Sequence, residues 1–165
     1  MRRRVVVTGL GCVTPVGNDV ASTWQALLDG KSGGALVTRF DASAHKVKFA
    51  CEAKNFDASL YMDRKEIKRS DLYTQFALAG AVQAMRDAGL EGGGFDPLRT
   101  GVIVGSGIGG ISTFETQHDV LRDHGPNRIS AFFVPMFIGD IAAGVVSMRF
   151  GAKGPNFATQ SACAT

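Results

Sequence analysis

One cysteine has the surroundings of an enzyme nucleophile. Cys163 stands in the run Ser161-Ala162-Cys163-Ala164-Thr165, which follows a short β-compatible segment. Small neighbours let the backbone turn sharply and let a substrate reach the sulfur. A helix starting here would also favour the thiolate through its N–H groups and dipole. Free cysteine is, however, among the most buried residue types. This stretch alone leaves a nucleophile and a cysteine packed among small residues as open alternatives.

A glycine-rich run at residues 105–110 is a second candidate site. It formally matches the G-x-G-x-x-G pattern of dinucleotide-binding loops. It follows a predicted buried strand at 100–104 and precedes a helix whose start is indicated by a capping box, Ser112 with Glu115. The dinucleotide pattern needs an acidic residue about 20 residues further on. Residues 125–130 contain none, so a nucleotide-binding module remains only a weak alternative.

Positive charges cluster between Asp63 and Asp71. Lys65, Lys68 and Arg69 would share one face of a helix. The charge pattern by itself favours a solvated helix face over a docking site. The net charge of the whole chain is only +3, and aromatic residues do not interleave with basic ones. We therefore expect no nucleic-acid partner.

The elements that must hold these residues alternate between strands and helices. Buried strands are predicted at 2–8 and 100–104, and an edge strand at 47–52. Helices are predicted at 18–29, 72–88 and 137–149, the last one ended by Gly151. This order predicts an α/β fold with a parallel or mixed sheet covered by helices. The apolar segment 132–136 fits either a core or an interface.

Composition limits the class of protein. The 165 residues are 45% hydrophobic and 20% charged, which is typical of one soluble domain. Three cysteines without a CxxC pair indicate reduced thiols and a cytoplasmic protein. No apolar run is long enough to predict a membrane span. The histidines, at positions 45, 118 and 124, form no metal-ligand pattern, and we expect neither a metal nor a cofactor.

Four runs of the sequence together resemble the β-ketoacyl-acyl-carrier-protein synthases. They are residues 7–18, 105–110, 132–135 and 154–165. The similarity covers nearly the whole chain, and four motifs in the family's order and spacing are far more specific than any one of them. The Thr-Pro-Val-Gly-Asn run and Ile108 resemble the type II elongating enzymes of bacterial fatty-acid synthesis more than the type I enzymes.

This resemblance implies a fold and a reaction. The fold would be thiolase-like, with duplicated α/β halves in five layers (αβαβα). Residues 1–165 would form an incomplete N-terminal half that stops just after the nucleophile. The parent enzyme would be a homodimer that performs decarboxylative Claisen condensation with acyl carrier protein as its partner. The family's two catalytic histidines would lie in a missing C-terminal half, so we expect residues 1–165 alone not to condense.

The resemblance also implies roles for individual residues. Cys163 would take the acyl chain as a thioester, and its N–H would form half of an oxyanion hole. Ile108 would line the acyl pocket, and Phe133 would reach in across the dimer interface. The acidic helix of the carrier protein would meet four cations through attractions that salt weakens. These cations are Lys65, Lys68, Arg69 and Arg128.

One departure and two alternatives remain. The family commonly has an Asn-rich segment where this chain has Gly139-Asp140, which leaves the local hydrogen bonding open. A polyketide-type ketosynthase would use similar chemistry on another substrate. A non-catalytic fragment would act only by association.

Overall fold

The computed structural model describes residues 3–165 and has the predicted alternation of helices and strands. The helices are α1 (Val20–Leu28), α2 (Arg64–Lys68), α3 (Leu72–Asp87), α4 (Ile111–His124), α5 (Phe133–Phe137) and α6 (Ile141–Phe150). The strands are β1 (Ala35–Leu36), β2 (Phe49–Ala50), β3 (Val102–Gly105) and β4 (Asn156–Thr159). Short 3₁₀ turns occupy Ala58–Leu60, Pro97–Arg99, Pro126–Arg128 and Ala162–Ala164.

The four strands form two separate pairs. β3 and β4 run parallel, with Val102 opposite Asn156 and Gly105 opposite Thr159. The chain between them contains α4, α5 and α6, as a parallel crossover requires. β1 and β2 form a two-residue antiparallel pair. The predicted edge strand at 47–52 is therefore shorter than expected, and its partner β1 lies where no strand was predicted.

The core lies where α3 and α6 pack together. Leu78 and Val82 of α3 meet Val146 of α6, and Met62 closes the cluster. Small buried residues on both helices, including Ala79 and Ala142 and Ala143, let the two backbones approach closely. Burying such apolar side chains stabilises the fold by roughly 1.5–3 kcal/mol for each large residue.

The predicted buried strand at 100–104 is covered on only one face. Val102 of β3 packs against the core cluster. Ile103, which points to the other face, is 62% exposed. Successive side chains of a strand point to opposite faces, and α6 packs against β3 while residues 3–165 supply no second layer. Among the described residues, the strand predicted to be buried is therefore covered on one face only.

The predicted N-terminal strand does not form. Arg2 lies outside the described residues, and residues 3–8 make no strand pairing. Val5 is 95% exposed, because no neighbouring strand among residues 3–165 accepts this segment. Directly afterwards the chain comes very close to α3. A β-carbon on Gly9 would lie 2.1 Å from the Ala84 carbonyl oxygen, so glycine is needed for this approach.

Two helix boundaries differ from the predictions. The helix predicted at 18–29 begins at Val20, and Asp19 caps it by accepting from the N–H of Ser22. The side chain of Asn18 donates to the Lys54 carbonyl at 2.9 Å. The helix predicted at 137–149 begins four residues later, as α6 at Ile141, after a turn at Gly139 that follows the separate short helix α5. Gly151 ends α6 in a left-handed conformation, as predicted.

The predicted capping box at Ser112 is wrong. α4 begins one residue earlier, at Ile111, after Gly110, whose lack of a side chain leaves no local cap. The carboxylate of Asp71, which precedes α3, accepts from the N–H of Thr113 instead. A residue distant in sequence thus satisfies the exposed N–H groups that every helix start presents.

Along residues 3–165, no helix is both long and apolar enough to cross a membrane.

Candidate active site

Cys163 lies at the carboxyl end of the parallel strand pair. It stands four residues after β4, in the 3₁₀ turn Ala162–Ala164, and its side chain is exposed. The alternative of a cysteine buried in a small-residue seam is therefore wrong for the described chain. Because parallel strands end at the same edge of a sheet, the glycine run after β3 lies beside the cysteine turn. Ser106 N–H donates to the Thr159 carbonyl at 3.1 Å, which joins the two segments.

The turn around Cys163 is held in an unusual backbone conformation. Ala162 has φ of 47°, in the left-handed region that costs a residue with a side chain about 1–2 kcal/mol. The N–H of Ser161 donates to the Thr165 hydroxyl at 2.7 Å and closes the turn. The N–H of Cys163 lies in a first helical turn, where backbone donors have no intrahelical acceptor. The role of this N–H as an oxyanion donor stays a prediction.

A groove runs beside the strand that leads to Cys163. It has a volume of about 480 Å³. Its lining residues are Ile108, Phe137, Ile138, Gly139, Asp140, Ala158 and Gln160. Ile108 is 62% exposed there, and Gln160 precedes Cys163 by three residues. The groove therefore brings together the predicted acyl-pocket residue and the segment of the predicted nucleophile.

The glycines of the 105–110 run serve close packing. A β-carbon on Gly110 would lie 2.2 Å from the Met136 carbonyl oxygen, and Gly109 has φ of 83°. The N–H of Gly110 donates to Phe137 at 2.9 Å, and that of Gly109 donates to the Ser106 hydroxyl at 2.9 Å. Donors that a phosphate would need are already engaged inside the chain. This arrangement disfavours the nucleotide-binding alternative.

The turn at Gly139 packs against the segment that precedes Cys163. The Tyr73 hydroxyl donates to the Ile138 carbonyl. Burial, the largest cause, raises the pKa of Tyr73, so its hydroxyl stays protonated as a donor. A β-carbon on Gly139 would lie 1.9 Å from Nε2 of Gln160. Glycine at this position lets the loop before α6 lie against the segment before Cys163.

Phe133 packs within its own chain. Its ring lies 6.3 Å from that of Phe114 and 5.7 Å from that of Phe137, measured between centroids. The ring is half-buried, and its neighbours Phe132 and Val134 are exposed. Its reach across a dimer interface stays a prediction.

Three of the four predicted docking cations lie together. Lys65, Lys68 and Arg69 are exposed and, with Arg64, line one shallow depression on α2. Arg128 is exposed in the turn before α5. Lys68 shares a second depression with Ser130, two residues after Arg128. Within residues 3–165, none of these four cations forms a salt bridge.

Two cations near this surface were not singled out from the sequence. Arg39 lines the depression that contains Lys68. Arg149, in the last turn of α6, lines a deeper groove together with Lys65. The only sequence signal for Arg149 was its place in a predicted helix. The proximity of α6 to α2 is a tertiary feature.

Among the described residues, neither Cys163 nor a histidine lines the groove that contains Ile108. His45 packs edge-to-face on Phe40 at 5.5 Å between ring centroids. His118 lies 3.6 Å from the carboxylate of its neighbour Asp119, and His124 ends α4. In the part of the chain that the structure describes, these side chains are exposed.

Comparison with known proteins identifies the family. The family profile described as "Beta-ketoacyl synthase, N-terminal domain" matches residues 2–165. A relative from Staphylococcus aureus strain N315, named 3-oxoacyl-[acyl-carrier-protein] synthase 2, is 49% identical over 163 residues, 99% of this chain and 39% of its own. Proteins of the same name from Coxiella burnetii and from Synechocystis sp. are 48% and 45% identical over 99% of this chain, or 40% and 39% of theirs.

Solved structures share the fold. The ishigamide ketosynthase/chain length factor superposes with a TM-score of 0.87 over 97% of this chain and 40% of its own, at 23% identity. A β-ketoacyl synthase from Burkholderia phymatum superposes with a TM-score of 0.77 over 99% of this chain and 40% of its own, at 22% identity. The thiolase-like α/β fold, N-terminal half, is thereby confirmed.

The chain spans about two fifths of the length of the curated relatives that it matches. The family profile and the superposed structures both cover almost all of its residues. The chain therefore belongs to the β-ketoacyl synthase family, whose N-terminal domain it matches from residue 2 to residue 165.

Proposed function

We propose that this chain supplies the nucleophile of an enzyme that elongates fatty acyl chains by decarboxylative condensation. One observation carries the proposal: exposed Cys163 follows β4 by four residues, and Ala158 of β4 lines the groove that contains Ile108. The relatives named 3-oxoacyl-[acyl-carrier-protein] synthase 2 support this over a polyketide-type reaction. The ketosynthase neighbours at 22–23% identity support the fold alone.

Acyl transfer to Cys163 is the first step. The thiolate attacks the carbonyl of an acyl thioester on the carrier protein, so that a new S–C bond forms on Cys163. The carrier thiol leaves and takes up the proton that Cys163 lost. In this proposal the Cys163 N–H donates to the carbonyl oxygen as negative charge develops on it.

Condensation is the second step. Malonyl-carrier protein loses CO₂, and the resulting carbanion attacks the Cys163 thioester to form a C–C bond. The thiolate of Cys163 leaves and is reprotonated, and the product is a 3-oxoacyl thioester on the carrier. No histidine lines the described groove. We therefore expect decarboxylation to need groups other than those of residues 1–165.

The carrier protein binds, in this proposal, to the exposed cations on α2 and to Arg128. Lys65, Lys68 and Arg69 are clustered and make no salt bridge among the described residues. An acidic partner would therefore meet unneutralised charge.

We also propose a homodimer through the exposed side chains beside Phe133, with Phe132 38% and Val134 57% exposed. Free thiols at all three cysteines support a cytoplasmic location.

The test is acylation of Cys163 in the intact protein. Purified protein is incubated with acyl-carrier protein, and the modified residue is identified by peptide mass spectrometry. We expect the acyl mass on Cys163 and its loss in Cys163→Ala. Cys51→Ala is the matched control, because Cys51 is also exposed but lies elsewhere. An acyl group on Cys51, or none on any cysteine, would contradict the proposal.

A further inference from the structure

A deeper groove lies between α2, α3 and α6, apart from the one that contains Ile108. Its volume is about 570 Å³. The apolar part of its lining consists of Met62, Leu78, Val145 and Met148. Met62 and Leu78 belong to the protein core, with 6% and 0% exposure, whereas Met148 is 74% exposed. The groove thus connects the core to a freely accessible methionine.

The rim of this groove is positively charged. Lys65 and Arg69 line it from the α2 side and Arg149 from α6, against one acid, Glu66. The Glu66 carboxylate already accepts from the Asp63 N–H at 2.8 Å in the capping box of α2. The rim therefore carries a net positive charge.

Local contacts hold the two arginines without neutralising them. The guanidinium of Arg69 lies 4.3 Å from the centre of the Phe132 ring. Arg149 donates from Nη2 to the Tyr61 carbonyl at 3.1 Å. Neither forms a salt bridge with any acid among residues 3–165. Their positions are thus fixed in advance, while their charge is available to a partner.

We propose that this groove receives an apolar side chain from the acidic helix of the carrier protein, and that Met148 and Arg149 extend the docking surface. The inference rests on the proposed function and adds an apolar anchor to what was a purely electrostatic contact. A few side chains buried in desolvated pockets, surrounded by a polar rim, supply most of the binding energy of an interface. Methionine suits such a site, because its flexible thioether adapts to different shapes.

Charge complementarity selects this occupant over a free fatty acid. The cations are distributed over two helices, α2 and α6, around an apolar centre. Several carboxylates of a helix can meet such a distributed rim, whereas a fatty acid offers a single carboxylate. The groove also shares Lys65 and Arg69 with the depression already assigned to the carrier protein.

The test compares two acyl donors on the intact protein. The same acyl group is presented on carrier protein and on a small pantetheine thioester, and acylation of Cys163 is followed. We expect Met148→Asp to raise KM for the carrier-linked donor at least about tenfold, with no comparable change for the small donor. Met148→Leu, which stays apolar, should restore nearly wild-type KM. Leu98→Asp, an acid placed on a residue that is 73% exposed elsewhere, is the control.

Several outcomes would overturn the inference. One is an unchanged KM for the carrier-linked donor in Met148→Asp, and another is an equal loss with both donors. Inhibition by decanoate that Met148→Asp removes, with carrier KM unchanged, would assign the groove to a lipid. If Cys163 of the wild-type protein is acylated by neither donor, the proposed function itself is wrong. That outcome is distinct from a failure of the groove inference, in which the wild-type protein is still acylated.

Discussion

Asp71 holds the start of α4 through two hydrogen bonds to Thr113. Its Oδ2 accepts from the Thr113 N–H at 2.9 Å and from the Thr113 hydroxyl at 2.6 Å, and both residues are buried. Its other oxygen accepts from Tyr73 N–H at 3.4 Å at the start of α3. One carboxylate therefore caps two helices, and it lies against Gly110 at the end of the glycine run.

Replacing Thr113 by valine should destabilise the protein by about 1.5–3 kcal/mol. The shape is kept, but the buried Asp71 side chain loses one of its hydrogen bonds. Thr113→Ser keeps the hydroxyl and should cost much less. Urea denaturation of the intact protein measures both values. Equal stabilities for Val and Ser would show that the hydroxyl contact contributes nothing.

Gly110→Ala should reduce stability by about 3 kcal/mol, near the upper end of the range for overpacking. The added β-carbon would meet the Met136 backbone oxygen at 2.2 Å and the Asp71 carboxylate at 3.1 Å. The control is Gly144→Ala in α6, where nothing lies within 4 Å of the new atom. That change should stabilise the helix by about 0.5–1 kcal/mol. Thermal denaturation gives the Tm of both variants. Tm values that shift in the same direction from that of the wild-type protein would contradict the packing argument.

The stability that the Asp63 cap gives to α2 should decrease at acidic pH. The N–H of Glu66, the largest cause, lowers the pKa of Asp63 below its ordinary value of 3.8, and the charges of Lys65 and Arg149 act in the same direction. Ionised Asp63 therefore contributes stability that is fully present above pH 3.8 and is lost as the pH falls through the folded-state pKa. An NMR titration of the Asp63 carboxyl should show a midpoint below 3.8. A midpoint at or above that value would contradict the capping geometry.

Enlarging residue 108 should change which acyl chains reach Cys163. Ile108→Trp narrows the 480 Å³ groove. The rate of acylation by long chains should therefore fall at least about tenfold, while that by short chains changes little. Ile108→Val, which removes one methylene group, is the conservative control. Rates of Cys163 acylation, measured with a series of acyl-chain lengths, test this prediction. A uniform loss over all lengths would show that Ile108 acts on the fold and not on the chain.

Local sequence patterns determined the alternation of helices and strands and several boundaries. Gly151 adopts φ of 69° at the end of α6, as expected where the chain leaves a helix. The helical spacing of residues 72–88 gave α3 to within one residue. The local residues left the exposure of Cys163 undecided, and the family followed from four ordered motifs. The end of α6 and the span of α3 could be predicted because they depend on neighbours within a few residues along the chain.

Only the tertiary structure decided which distant groups meet. The sequence indicated a cap at Ser112, but the cap is supplied by Asp71, which is 42 residues from Thr113. It indicated one continuous helix at 137–149, but α6 begins only at Ile141, after a turn in which Gly139 lies against Gln160. It gave no sign that Arg149 would share a groove with Lys65. A buried carboxylate must find donors, and a packed loop must avoid overlap. Both conditions depend on the arrangement of elements in space, which no local pattern contains.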